Sequence, residues 1–246
     1  MNSLSAIANP IFCAIDTPDL TAAQELVVNL GGAAGGIKLG KEFFTAHGPA
    51  GIHQTRDAAG VPLFLDLKFH DIPNTVAGAV RIACAMKPYM MTIHASGGPA
   101  MIQAAADAAT VGAQETGLDR PLIIAVTVLT SLDQADLKAV GVAASPTDQV
   151  RRLAALAQQN GADGIVCSPL EIEILRQDLG PDFVLVVPGI RPFGTDAGDQ
   201  KRVMTPEEAM QAGASHLVIG RPITQNPDPA AAASAIADSL SNIRQA

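Results

Sequence analysis

The sequence predicts an α/β fold, a single-domain (β/α)8 TIM barrel spanning residues 1–246. Three observations carry that prediction. Short β-rich runs alternate with longer Ala-rich helical stretches along the whole chain, the pattern of a parallel sheet. The β-rich runs number eight, which suits a closed barrel better than an open sheet. The length, 246 residues, falls in the range of roughly 200 to 250 that such barrels use for one domain. No linker, low-complexity tract or composition shift marks a second domain.

In chain order, strands are expected at 11–15, 35–38, 62–67, 89–93, 121–126, 162–166, 183–187 and 215–219. Helices are expected at 18–30, 41–59, 72–86, 98–110, 146–159, 169–178, 205–212 and 228–243, with a further short one around 134–138. In a barrel the strands' C-terminal ends open on one face. The first strand ends at Asp16, the second at Lys38, the third at Asp66 and Lys68, and the fourth at His94. The fifth ends at Thr127 to Thr130, and the sixth at Cys167 and Ser168. The seventh runs into Pro188 and a long loop, and the eighth ends at Gly220 and Arg221. That loop, PGIRPFGTDAGDQKRVM over 188–204, has the length and composition of a lid or binding loop.

Composition narrows the partners. A formal net charge of −8 disfavours nucleic acid and anionic membrane surfaces, which are bound largely through basic patches. The absence of Trp and the single Tyr argue against a stacking platform for single strands. Cys13, Cys84 and Cys167 lie far apart in apolar segments, so they read as buried reduced thiols and suggest the cytoplasm. The segment MNSLSAIANP lacks a basic region leading into a long apolar core, and no apolar run approaches the ~18 residues of a membrane span. The expectation is a soluble, unprocessed protein.

The chemistry concentrates in LDLKFHDIPNTV, residues 65–76. Asp66 and Lys68 are two apart on a strand, so both point to one face. As a stabilising ion pair they would be a poor choice, because desolvation often costs as much as the attraction returns. Lys38 one strand away and Asp71 just beyond extend them into an alternating row, Lys38, Asp66, Lys68, Asp71. At ~4 Å and an effective dielectric near 20, each opposite contact contributes about 4 kcal/mol, enough to hold Lys68 charged as a proton donor. Asp71 also reads as a helix N-cap, with Pro73 in the first turn. Asp16, followed by Thr17 and Pro18, is equally a helix start or a hydrogen-bond acceptor for a sugar hydroxyl.

Gly220 and Arg221 open the helix after the eighth strand, where backbone N–H groups and a guanidinium suit a phosphate. Arg191 and Gln200 on the long loop add to that site. The histidines show no recognisable ligand spacing. His94 is either a functional group or a hydrogen-bonded structural one, and His70 should point away from Lys68. Lys68 between Asp66 and Asp71 would repel a divalent cation, so the prediction is no metal and no organic cofactor.

These residues resemble the orotidine 5'-phosphate decarboxylase family. DLKFHDIPNT at 66–75 carries its DxKxxDIxxT signature. Asp16, TIHASGG, VTVLTS, VPGIRP, GDQKRVMTP and VIGRPI follow in order, so the likeness spans essentially the whole chain and is closest to the bacterial form. The resemblance implies that Lys68 is the proton donor and that Asp66 lies beside the departing carboxylate. Lys38 and Asp71 would complete the charged row, with Asp71 and Thr75 reaching the neighbouring site of a homodimer. It further implies that Asp16 binds the ribose and Thr130 the pyrimidine. Arg191, Gln200, Gly220 and Arg221 would hold the phosphate. Some members have a glutamine where Phe193 stands, which leaves Gln200 for that role here.

Overall fold

The computed structural model describes residues 7–193 and 203–241. Eight parallel strands close into a barrel in sequence order: β1 (Ile11–Ile15), β2 (Gly36–Gly40), β3 (Leu63–Phe69), β4 (Met90–His94), β5 (Leu122–Val126), β6 (Gly164–Val166), β7 (Val184–Val187) and β8 (His216–Ile219). Closure is made by β1 against β8, with Ile11 opposite Leu217 and Cys13 opposite Ile219.

Strand alternation divides the apolar residues into two shells. Ile11, Cys13, Ile15, Leu65 and Ile93 belong to the outer core beneath the helices. Phe12, Phe64, Met90, Leu122, Ile124 and Val186 fill the barrel interior. Phe12 meets Phe64 edge-on at 5.9 Å, His216 edge-on at 5.3 Å, and stacks on Tyr89 at 6.1 Å. β2 begins with Gly36 for this reason, since a Cβ there would lie 2.3 Å from the Phe12 ring. The three cysteines are free and buried, and burial pushes the Cys13 thiol up to about 12.

The helices are α1 (Leu20–Leu30), α2 (Lys41–Ala59), α3 (Pro73–Ala83), α4 (Pro99–Thr116), α5 (Gln134–Ala139), α6 (Pro146–Gln159), α7 (Ile172–Leu179), α8 (Pro206–Gln211), α9 (Arg221–Thr224) and α10 (Pro229–Ser241). Local chemistry sets their ends. Asp19, and not Asp16, caps α1 by accepting the Ala22 N–H at 2.9 Å. α2 is kinked where Gly48 (φ 57°) precedes Pro49. α3 stops at Ala83 in favour of a 3-10 turn, while α4 runs to Thr116, past the expected 110. α8 is held by a capping box between Thr205 and Glu208. The segment after β8 is split into α9, only four residues long, and α10, so Arg221 opens a single turn and not a full helix. Among the described residues, no helix is long and apolar enough to cross a membrane.

Candidate active site

β3 supplies the two central residues, and it leaves regular strand geometry to do so. Its pairing with β4 runs Phe64 to Met90 and Leu65 to Met91, then resumes only at Phe69 to Ile93. Four steps along β3 thus span two along β4, a bulged stretch containing Asp66, Leu67 and Lys68. Inside it Lys68 has φ 52°; among the described residues only Lys87 shares a positive φ without being glycine. Strand alternation predicts that Asp66 and Lys68 share a face; the bulge is what brings them together. Lys68 Nζ donates to both carboxylate oxygens of Asp66, at 2.7 Å each.

A left-handed backbone at a non-glycine residue costs about 1 to 2 kcal/mol. Thr92, buried on β4 and opposite Ile124 of β5, helps to offset it. Its Oγ1 accepts the Lys68 N–H at 2.8 Å and donates to Asp66 Oδ1 at 2.9 Å. No sequence signal singles out Thr92, a β-branched residue in the apolar run MMTIH. Its inward register, two residues before His94, is the one clue.

Register between β1, β2 and β3 extends the pair. Lys38 lies opposite Ala14 on one side and Phe64 on the other. Its Nζ reaches Asp16 Oδ1 at 3.2 Å and Asp66 Oδ2 at 3.8 Å. The row present within one chain is therefore Asp16, Lys38, Asp66, Lys68: Asp16 extends it beyond Lys38, and Asp71 of the same chain does not join it at the Lys68 end. Burial opposes ionisation of Asp66, yet Lys38, Lys68 and the hydrogen bonds from Lys68 and Thr92 hold its carboxyl below the usual range.

Two cavities meet at this row. One of about 290 Å³ lies on the polar side and is bounded by Asp16, Gly40, Lys41 and Glu42. The other, about 170 Å³, is walled by Phe64, Val126, Val166, Val186 and Val218, with Thr130 and Pro188 at its rim. Lys38, Asp66 and Lys68 line both. The pair of cavities sets a largely apolar slot beside fixed charges of both signs.

Other expected site residues lie around this centre. Asp71 is exposed and stands outside the row, its Oδ1 accepting the adjacent Ile72 N–H at 2.6 Å. It is not the helix cap either: Ile72 occupies the N-cap of α3 without a side-chain bond, and Pro73 takes the first turn. Thr75 is exposed on that same turn. Gly220 adjoins the row, since a Cβ there would sit 3.9 Å from Asp16 Oδ2, and Arg221 beside it is exposed. Arg191 lies at the base of the long loop, where its N–H donates to the Met204 carbonyl at 3.0 Å and ties the loop's two ends. Phe193 is 98% exposed. Gln200 lies outside the described residues. His70 turns to His94, with ring centroids 5.2 Å apart. Burial, then His70, Lys41 and Lys68, push the His94 imidazole down to about 4, so it is neutral at physiological pH.

Comparison with known proteins bears on this geometry. Residues 9–236 match the profile of the family described as "Orotidine 5'-phosphate decarboxylase / HUMPS family". The orotidine 5'-phosphate decarboxylase of Paramagnetospirillum magneticum is 56% identical over 228 residues, which cover 93% of this chain and 97% of the relative. That of Rhodospirillum rubrum is 54% identical over 232 residues, covering 94% of each. The crystal structure of orotidine 5'-phosphate decarboxylase from Lactobacillus acidophilus superposes with a TM-score of 0.84 at 35% identity, over 94% of this chain and 99% of that one. With its closed barrel, its charged row at the mouth and relatives matched along nearly their whole length, the chain belongs to the orotidine 5'-phosphate decarboxylase / HUMPS family.

Proposed function

We propose that the chain converts orotidine 5'-phosphate to uridine 5'-phosphate and CO2, the last step of de novo pyrimidine nucleotide synthesis, without metal or organic cofactor. The observation that carries this is the Asp16, Lys38, Asp66, Lys68 row, shared by a polar and an apolar cavity. The apolar slot takes the pyrimidine, with Thr130 at its edge, and sets the carboxylate on carbon 6 beside Asp66. When the bond to CO2 breaks, its electron pair stays on carbon 6, where the ring delocalises it poorly. A cation already fixed nearby stabilises that charge as it develops and needs no reorganisation. Lys68 Nζ then gives carbon 6 its proton, and the resulting amine is reprotonated from water.

Lys38 and Asp66 orient Lys68, and Asp16 binds the ribose. Arg191, Gln200, Gly220 and Arg221 hold the phosphate, so binding energy remote from the reacting carbon organises the site. The working unit is a homodimer in which Asp71 and Thr75 of one chain complete the row of the other. Supporting this, residues 70–75 are all exposed in the single chain, and the apolar Ile72 is 66% exposed at their centre. The dimer is cytoplasmic.

The deciding experiment is turnover of orotidine 5'-phosphate in EDTA, beside a panel of sugar phosphates with magnesium. The expected result is EDTA-resistant conversion of the nucleotide alone; activity confined to sugar phosphates would contradict the assignment. For the dimer, mixing inactive Lys68→Ala and Asp71→Ala chains should recover activity through hybrids carrying one intact site. Absence of recovery would argue against the shared row.

A further inference from the structure

Thr92 is fully buried and lines neither cavity, yet it bonds to both central residues. It stands opposite the bulge, where the β3 backbone has lost its regular ladder to β4. A buried N–H without an acceptor is costly, and the Lys68 N–H finds its acceptor in a side chain, Thr92 Oγ1 at 2.8 Å. Having accepted there, the same hydroxyl spends its one proton on Asp66 Oδ1 at 2.9 Å. The chain of bonds runs from backbone to hydroxyl to carboxylate and back through Lys68 Nζ, closing a ring around the bulge.

We infer that Thr92 is a positioning residue for the decarboxylation, its hydroxyl holding Lys68 in the left-handed conformation that aims the ammonium across Asp66. The hydroxyl does this work; the methyl group only fills the core. Lys38 from β2 also touches Asp66, so the carboxylate keeps a charged partner when Thr92 is altered, whereas the Lys68 N–H loses its side-chain acceptor.

The inference rests on the proposed activity, so both are read in one assay. Wild type must first turn over orotidine 5'-phosphate; if it does not, the activity assignment fails before Thr92 is tested. Given an active wild type, Thr92→Val, which keeps the shape and removes the hydroxyl, should lower kcat on the order of 10- to 100-fold, the effect of small misplacements of reacting groups. Its KM and its affinity for uridine 5'-phosphate should stay within about threefold, because the contacts that bind the nucleotide are untouched. Thr92→Ser should restore kcat to within about threefold of wild type, since the same donor and acceptor are present.

Wild-type kcat in folded Thr92→Val would overturn the inference. Equal losses in Thr92→Val and Thr92→Ser would also overturn it, by showing that packing alone matters. If Thr92→Val does not fold, Thr92→Cys takes its place, with a thiol that is only a weak donor. A kcat between those of Thr92→Ser and Lys68→Ala supports the inference, and one equal to Thr92→Ser contradicts it.

Discussion

The two halves of the barrel mouth are built on opposite principles. From β1 to β4 the inward strand ends carry Asp16, Lys38, Asp66 and Lys68, interlocked at 2.7 to 3.8 Å, with Thr92 beneath them. From β5 to β8 the corresponding wall is Val126, Val166, Val186 and Val218, and among the described residues no charged side chain lines the slot on that side. The polar half fixes the charges and the apolar half gives them a wall of low polarity, beside which electrostatic interactions across the slot are stronger than in open water. Neither half suffices: charges facing open solvent are screened, and a dry slot without partnered charges would drive them neutral.

The largest way to break the contrast is to delete a charge from the polar half. Asp66→Asn leaves Lys38 and Lys68 facing each other without the anion between them, and kcat should fall on the order of 100- to 1,000-fold. A steady-state assay reads this, and near-normal kcat would show that the row is ornamental. Next comes Arg221→Ala, which removes a cation proposed to hold the phosphate. It should lower kcat/KM about 10- to 100-fold, in line with one lost charge-assisted contact. Inorganic phosphite added to a truncated substrate should stimulate wild type more than this variant, and equal stimulation would remove Arg221 from the phosphate site.

A smaller test roughens the apolar half. Val186→Thr places a hydroxyl at a fully buried position in a wall of valines, and should destabilise the fold by about 1 to 3 kcal/mol. Urea denaturation with an unchanged m-value checks it, and an unaltered midpoint would mean the wall is wetter than described. The smallest effect concerns His94 at the edge of the polar half. Its imidazole takes up a proton near 6.5 in the unfolded chain but only near 4 in the folded one. Between those values the unfolded state binds more protons, so stability contributed here is complete above about 6.5 and declines as pH falls toward 4. His94→Gln should lose less stability than wild type between pH 7 and pH 5, and parallel losses would contradict the buried-neutral assignment.

Much of this is legible in the residues themselves. The eight strands announce themselves because each is an apolar run between polar helix starts, and Asp16, Lys38, Asp66 and Gly220 fall at strand ends that a barrel must gather. What is not legible depends on backbone geometry. A left-handed lysine has no sequence signature, so regular alternation suffices to pair Asp66 with Lys68 and hides the bulge. Thr92 is hidden for the same reason, since its hydroxyl acquires a partner only where the β3 ladder breaks. The Asp16 to Lys38 contact requires the register of β1 on β2, which propensity does not encode. Asp71, with Pro73 close behind it, carries the marks of a helix cap, yet the helix begins one residue later and leaves its side chain outward.

The central claim is that Lys68, held by Asp66, delivers the proton to carbon 6. The most direct measurement is conversion of orotidine 5'-phosphate by wild type and Lys68→Ala, each shown by titration to bind uridine 5'-phosphate. Wild type should turn over, and Lys68→Ala should lose on the order of 100- to 10,000-fold in kcat, as expected for removal of a positioned proton donor. A Lys68→Ala protein that binds the nucleotide and decarboxylates at the wild-type rate would contradict the account.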